Sequence, residues 1–124
     1  MKVIIAGSRN INNIALVEAA CFKAMQRWRK HGVGFYITEV VCGEARGVDS
    51  LGKELAKKAG IPIKSFPADW DKYGKQAGYI RNAAMTKYAE ALIAIWDGQS
   101  RGTKMMIDLA KRAKLKVFVY QVEG

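Results

Sequence analysis

Five short runs rich in β-formers, KVIIA, EVVC, IKSF, ALIAIW and KVFVYQ, are separated by segments in which apolar residues return every three or four positions. A chain that alternates in this way folds with parallel strands joined by right-handed helical crossovers. The first run, Lys2 to Ala6, is apolar enough to be buried on both faces. Ile14, Val17, Cys21, Met25 and Trp28 then mark a helix that ends near His31 and Gly32, where glycine suits a C-terminal cap. A strand at Glu39 to Cys42 leads to a helix marked by Val48, Leu51, Leu55 and Ala59, stopped by Gly60-Ile61-Pro62. Ile63 to Phe66 is the third strand. Pro67 to Gly78 has no evident periodicity and reads as a long binding loop or lid. A helix at Tyr79 to Ala89, a strand at Ala91 to Trp96, a helix at Thr103 to Ala113 and a strand at Lys116 to Gln121 complete the chain. The expected fold is an α/β, Rossmann-like three-layer sandwich, a single domain over residues 1–124 with a mostly parallel sheet of about five strands.

Composition narrows the function. The 124 residues carry 21 Lys and Arg against 11 Asp and Glu, a formal net charge of +10, which favours anionic partners. The apolar runs fall far short of a membrane span. The opening MKVIIAGSRN has too short an apolar stretch for a secretory leader, so a cytoplasmic location with no membrane partner is expected. Two cysteines and one histidine make neither a disulfide framework nor a metal cluster, and no metal site is expected.

In a doubly wound sheet, ligands bind beyond the carboxyl ends of the strands, where strand order reverses. The turns after strands one, two and four are therefore expected at one end of the molecule. They read Gly7-Ser8-Arg9-Asn10, Gly43-Glu44-Ala45-Arg46-Gly47-Val48-Asp49, and Asp97-Gly98-Gln99-Ser100-Arg101-Gly102-Thr103-Lys104. Glycine lets backbone approach a ligand closely. Helix N-termini offer free N–H groups and a positive dipole end, and arginine presents a bidentate fork to phosphate. A single turn of this kind is more often an ordinary polar-capped connection; three at one edge point to an anion pocket. Arg9, Arg46 and Arg101 are the phosphate candidates. Asp49 either orients Arg46, holds a ribose hydroxyl or complements the helix dipole. Asp97 either bonds a ribose or base, or caps its own turn. Trp70, Tyr73 and Tyr79 either stack on a base or pin the long segment to the core. Neither G-x-G-x-x-G nor G-x-x-x-x-G-K-[ST] occurs, so the ordinary dinucleotide and Walker-type fingerprints are absent.

The strand-GSR opening, the C-G-E-A-R-G-V-D turn, the P-A-D-W…Y-G…A-G…R-N…M stretch and D-G-x-S-R-G-T-K, in that order, resemble the SLOG superfamily, in its YspA/YpsA-like branch. The resemblance implies a Rossmann-like fold and binding of nucleotides, nucleotide-derived ligands or nucleic acid. Relatives in that superfamily include the LOG phosphoribohydrolases and the single-stranded-DNA-binding protein DprA. Arg81-Asn82-Ala83-Ala84-Met85 resembles the LOG helix motif R-K-x-x-M, which adds Arg81 and Asn82 to the candidates. Gly102-Thr103 matches the second LOG motif, but the position of its catalytic glutamate falls on Met106. A methionine neither donates nor accepts a proton, so the resemblance favours binding over hydrolysis.

The expectation is therefore a protein that senses or sequesters a phosphorylated nucleotide or an NAD- or ADP-ribose-derived ligand, with no cofactor assigned. A hydrolase of N-glycosidic or phosphate bonds, with an aspartate in place of the glutamate, is one alternative. A single-stranded nucleic-acid binder is another, and a homo-oligomer paired through helix faces stays open.

Overall fold

The computed structural model describes residues 1–30, 37–43 and 47–122, with the Lys30 side chain left out. The end of the first helix at His31 and Gly32 and the centre of the second turn, Glu44 to Arg46, lie outside the described residues.

The strands are β1 (Lys2–Gly7), β2 (Glu39–Cys42), β3 (Ile63–Ser65), β4 (Ala91–Trp96) and β5 (Lys116–Gln121). They form one five-stranded sheet in the order β3-β2-β1-β4-β5, every pairing parallel. Central β1 and β4 carry the most apolar runs because both of their faces are covered. Val3, Ile4, Leu92 and Ile93 are fully buried. Edge strand β5 is mostly half-exposed.

Side chains alternate across the pleat and feed two cores. Val3, Ile5, Ile93 and Ile95 face α1 (Ile14–Lys30) and α2 (Val48–Ala59), where they meet Val17, Cys21, Trp28 and Val48. Ile4, Ala6, Leu92 and Ala94 face α4 (Ala77–Tyr88) and α5 (Arg101–Arg112), where they meet Met85, Met106 and Ile107. Of the apolar stripe expected on α1, Val17, Cys21 and Trp28 pack into the core with Met25 at its margin, while Ile14 stays outside it.

Most boundaries shift by one or two residues, α4 beginning at Ala77 rather than Tyr79 and β3 ending at Ser65 rather than Phe66, and two differences bear on the site. The segment from Pro67 to Gly78 is not a plain loop. It holds the four-residue helix α3 (Trp70–Tyr73) and a 3-10 turn at Gly74–Gln76 that runs into α4. Asp69 caps α3 by accepting the Lys72 N–H at 3.1 Å. One helical turn is too short to display a 3.6-residue period, so only its cap marks it. Helix α5 begins at Arg101 rather than Thr103, since Ser100 already serves as its N-cap.

From β1 the chain builds outward to β2 and β3, then returns to the other side of β1 to lay down β4. The crossover helices diverge there and open a crevice above the carboxyl ends of β1 and β4.

Candidate functional site

The first turn is tied to both of its neighbours. Ser8 is buried; its N–H donates to the Ile95 carbonyl at 3.1 Å, and its Oγ accepts the Asp97 N–H at 3.2 Å. Gly7 has no room for a side chain, since a Cβ would strike the Ile95 carbonyl and come within 2.8 Å of Val48 Cγ2. Gly47, at φ +75°, lies on the other flank, where a Cβ would stand 2.6 Å from the carbonyls of Ser8 and Arg9. The three turns therefore form one packed edge, with Arg9 and Asn10 exposed upon it.

Asp49, in the first turn of α2, is buried. It acts electrostatically on Arg81, which α4 supplies. Arg81 donates through Nη1 to the Gly43 carbonyl and through Nε to Asn82 Oδ1 at 2.8 Å. Gly43 is the residue that admits this side chain, because a Cβ there would lie 2.8 Å from Nη1. Burial pulls the Arg81 pKa down; the Asp49 carboxylate opposes that and the Arg9 charge reinforces it. The guanidinium stays charged.

In the third turn, Asp97 Oδ1 accepts from the N–H groups of Gln99 at 2.9 Å and Ser100 at 2.8 Å. Those bonds, helped by Ser8, hold the carboxyl below its ordinary pKa. Of its two sequence readings, this is the cap. Trp96 Nε1 donates to the Ser100 carbonyl at 3.0 Å and anchors the turn. Ser100 Oγ accepts the Thr103 N–H at 3.3 Å and lies 3.0 Å from Thr103 Oγ1. That cap leaves the N–H groups of Arg101 and Gly102 without a partner among the described residues.

An open cleft of about 550 Å³ lies over these elements. Of the residues singled out from the sequence, Gly7, Ser8, Arg9, Asn10, Asp49, Trp70, Tyr79, Arg81, Asn82, Ser100, Gly102 and Thr103 line it, and Tyr73 does not. Gly43, Gly47 and Asp97 do not line it but touch residues that do: Gly43 meets Arg81, Gly47 meets Ser8 and Arg9, and Asp97 bonds Ser8. Arg101 and Lys104 are exposed and do not line it, and Lys104 pairs instead with Asp108 at 3.1 Å. Ala45 and Arg46 lie outside the described residues.

The lining also includes residues that the sequence reading did not select. Lys75 arrives on the 3-10 turn, Gly78 and Met85 on α4, and Met105 on α5. Nothing local in the sequence marks Lys75, because its position depends on the unforeseen α3. Ala6, Met85 and Met106 form the apolar floor, and Met106 is 2 % exposed. Trp70 and Tyr79 stand on the rim, 54 % and 49 % exposed. The Trp70 ring lies across Gly78, with Cη2 3.6 Å from where a Cβ would sit. Neither aromatic is pinned into the core. Among the described residues no cluster of His, Cys, Asp or Glu is arranged to hold a metal ion.

The sheet order, the two helical layers and a cleft at the strand-order reversal define a Rossmann-like α/β domain. The chain belongs to the YspA, cpYpsA-related SLOG family, whose model matches residues 1–73. It is similar to the Gene 61 protein of Mycobacterium phage D29, with 30% identity over 122 residues that span 94% of this chain and 93% of that protein. No solved structure matches it. The family match takes in the first two turns and α3; the third turn lies beyond it. No described helix is long and apolar enough to cross a membrane.

Proposed function

We propose that the chain binds a phosphorylated nucleotide or an ADP-ribose-type ligand in the cleft at the carboxyl edge of the sheet, to sense or sequester it. The observation that carries this reading is Gly102. It lies in the first turn of α5 and lines the cleft, and a methyl group there would meet nothing within 4 Å. Glycine inside a helix costs roughly 0.5–1 kcal/mol relative to alanine, and no neighbour requires it here. It leaves bare backbone N–H at the positive end of a helix, an arrangement that suits phosphate. Arg9, Lys75 and Arg81 bring further positive charge to the cleft, and the exposed faces of Trp70 and Tyr79 suit a base. The volume falls among those of small-ligand sites, about 300–1,000 Å³.

Binding is favoured over turnover by the floor. Met106 supplies no proton-transfer group, and among the described residues the carboxylate that lines the cleft is Asp49, which acts electrostatically on Arg81.

The test is a thermal-shift screen with AMP, ADP, NAD, ADP-ribose and cyclic nucleotides. At least one should raise Tm in proportion to the logarithm of its concentration. Arg9→Ala should weaken that ligand about tenfold or more, the scale of a lost charge-assisted contact. Gly102→Ala should raise the Tm of the free protein and still weaken the ligand; wild-type affinity in this variant would overturn the reading. Release of free base or phosphate from the bound nucleotide would establish the hydrolase instead.

A further inference from the structure

We infer that the α4 side of the cleft reads the base of the nucleotide, and that it takes an oxopurine, guanine or hypoxanthine, in preference to adenine. The inference rests on the nucleotide reading above and narrows it. It begins with Asn82, which lies in the interior of α4, lines the cleft and is only 7 % exposed. Asparagine is a poor residue for a helix interior, and a buried amide is costly unless its polar atoms find partners.

Half of that amide is used within the protein. Asn82 Oδ1 accepts from Arg81 Nε at 2.8 Å. A guanidinium nitrogen only donates, so the amide oxygen faces Arg81 and the amide cannot turn over. Nδ2 bonds no described residue, and no buried side-chain nitrogen or oxygen among the described residues lacks a bond. Nδ2 is therefore open to the cleft that Asn82 lines. Arg81 is held in a similar way. Its Nη1 donates to the Gly43 carbonyl and its Nε to Asn82, while Nη2 bonds no described residue. Nη2 stands 3.9 Å from the point a Gly78 Cβ would occupy, and Trp70 Cη2 stands 3.6 Å from the same point. Gly78, Arg81, Asn82 and Met85 recur at helical spacing along α4 and all line the cleft. The indole edge and the two unused donors thus share one wall.

Two donors without an acceptor, beside an aromatic ring, define what fits. A base stacked on the exposed indole presents its edge to Nη2 and Nδ2. Guanine and hypoxanthine offer two adjacent acceptors there, O6 and N7, the pair that arginine commonly reads. Adenine offers N7 beside an amino group, which would set a donor against a donor. The usual amide answer to adenine uses the oxygen and the nitrogen together, and it is closed here because Oδ1 is turned to Arg81. A neutral base edge suits this wall better than a second phosphate, since the Asp49 carboxylate lines the same cleft and acts on Arg81. The phosphate falls to Gly102 and Arg9.

Isothermal titration calorimetry with GDP, IDP, ADP and a deaza-GDP that carries carbon in place of N7 tests this on the unaltered protein. GDP and IDP should bind within about threefold of each other, and at least about tenfold more tightly than ADP, the scale of one discriminating base contact. The deaza analogue should bind about fivefold or more below GDP. Asn82→Asp keeps an oxygen for Arg81 and turns an acceptor toward the base, so it should narrow the GDP-to-ADP ratio by about tenfold. ADP bound as tightly as GDP, IDP as weak as ADP, deaza-GDP equal to GDP, or an unchanged ratio in Asn82→Asp would overturn the inference while leaving the nucleotide reading in place. If none of the four binds, that reading has failed and the base preference falls with it.

Discussion

Gly47 packs where a side chain has nowhere to go, with two carbonyls 2.6 Å from the point a Cβ would occupy and a φ of +75°. Gly60 has a similar φ, +71°, but open space around it. The pair separates backbone strain from collision. Gly60→Ala should cost about 1 kcal/mol, the left-handed penalty alone. Gly47→Ala should cost about 3 kcal/mol or more, since strain and clash add. Urea unfolding of both variants measures the difference, and equal losses would show that the first turn simply yields. Gly47 and Gly102 look alike in the sequence, each beside an arginine in a polar turn. Their roles diverge only in three dimensions, where one is hemmed in by backbone and the other lines the open cleft. Asp97 was ambiguous for the same reason: the order of residues shows a carboxylate near two N–H groups but not which partner it takes.

At the level of elements, the third turn behaves as a small acid-sensitive unit. Folding holds the Asp97 pKa below its ordinary 3.8 through bonds from Gln99 and Ser100. The unfolded chain therefore binds its proton first as pH falls, and the native state loses the contribution on acidification. It is fully present above the unfolded pKa and vanishes as pH drops through the lower native value. Asp97→Asn should accordingly lower Tm at pH 7, and its deficit against wild type should shrink below about pH 4. A deficit unchanged by pH would mean that geometry alone holds the turn. The long elements were legible because burial dictates their patterns: β1 and β4 as continuous apolar runs, α1 as a stripe at helical spacing. Helix α3 was not, since four residues show no period, and with it went the route by which Lys75 reaches the cleft.

At the scale of the whole molecule, both cysteines sit in packed interior. Cys21 lies 7 % exposed between α1 and the sheet, with its thiol pushed up to about 11 chiefly by burial, and Cys42 is fully buried in β2. A thiol in that state is a poor nucleophile. Neither should react with a thiol reagent at pH 8 until the domain opens, so labelling should proceed at the unfolding rate and accelerate in urea. Rapid labelling in native buffer would show local opening near α1 or β2. Strand order was legible from alternation only as far as parallel pairing; the position of β1 at the centre is set by contacts remote in sequence. That centrality also decides how the chain is made. Val3 to Gly7 leaves the ribosome well before Ala91 to Ile95, with which one side of the strand pairs. Until then its backbone amides and carbonyls face solvent beside a run of isoleucines, the kind of edge on which nascent chains aggregate. Synthesis of this protein thus passes through an interval in which a strand destined for the centre of the sheet is its most vulnerable, and the interval closes only when β4 arrives.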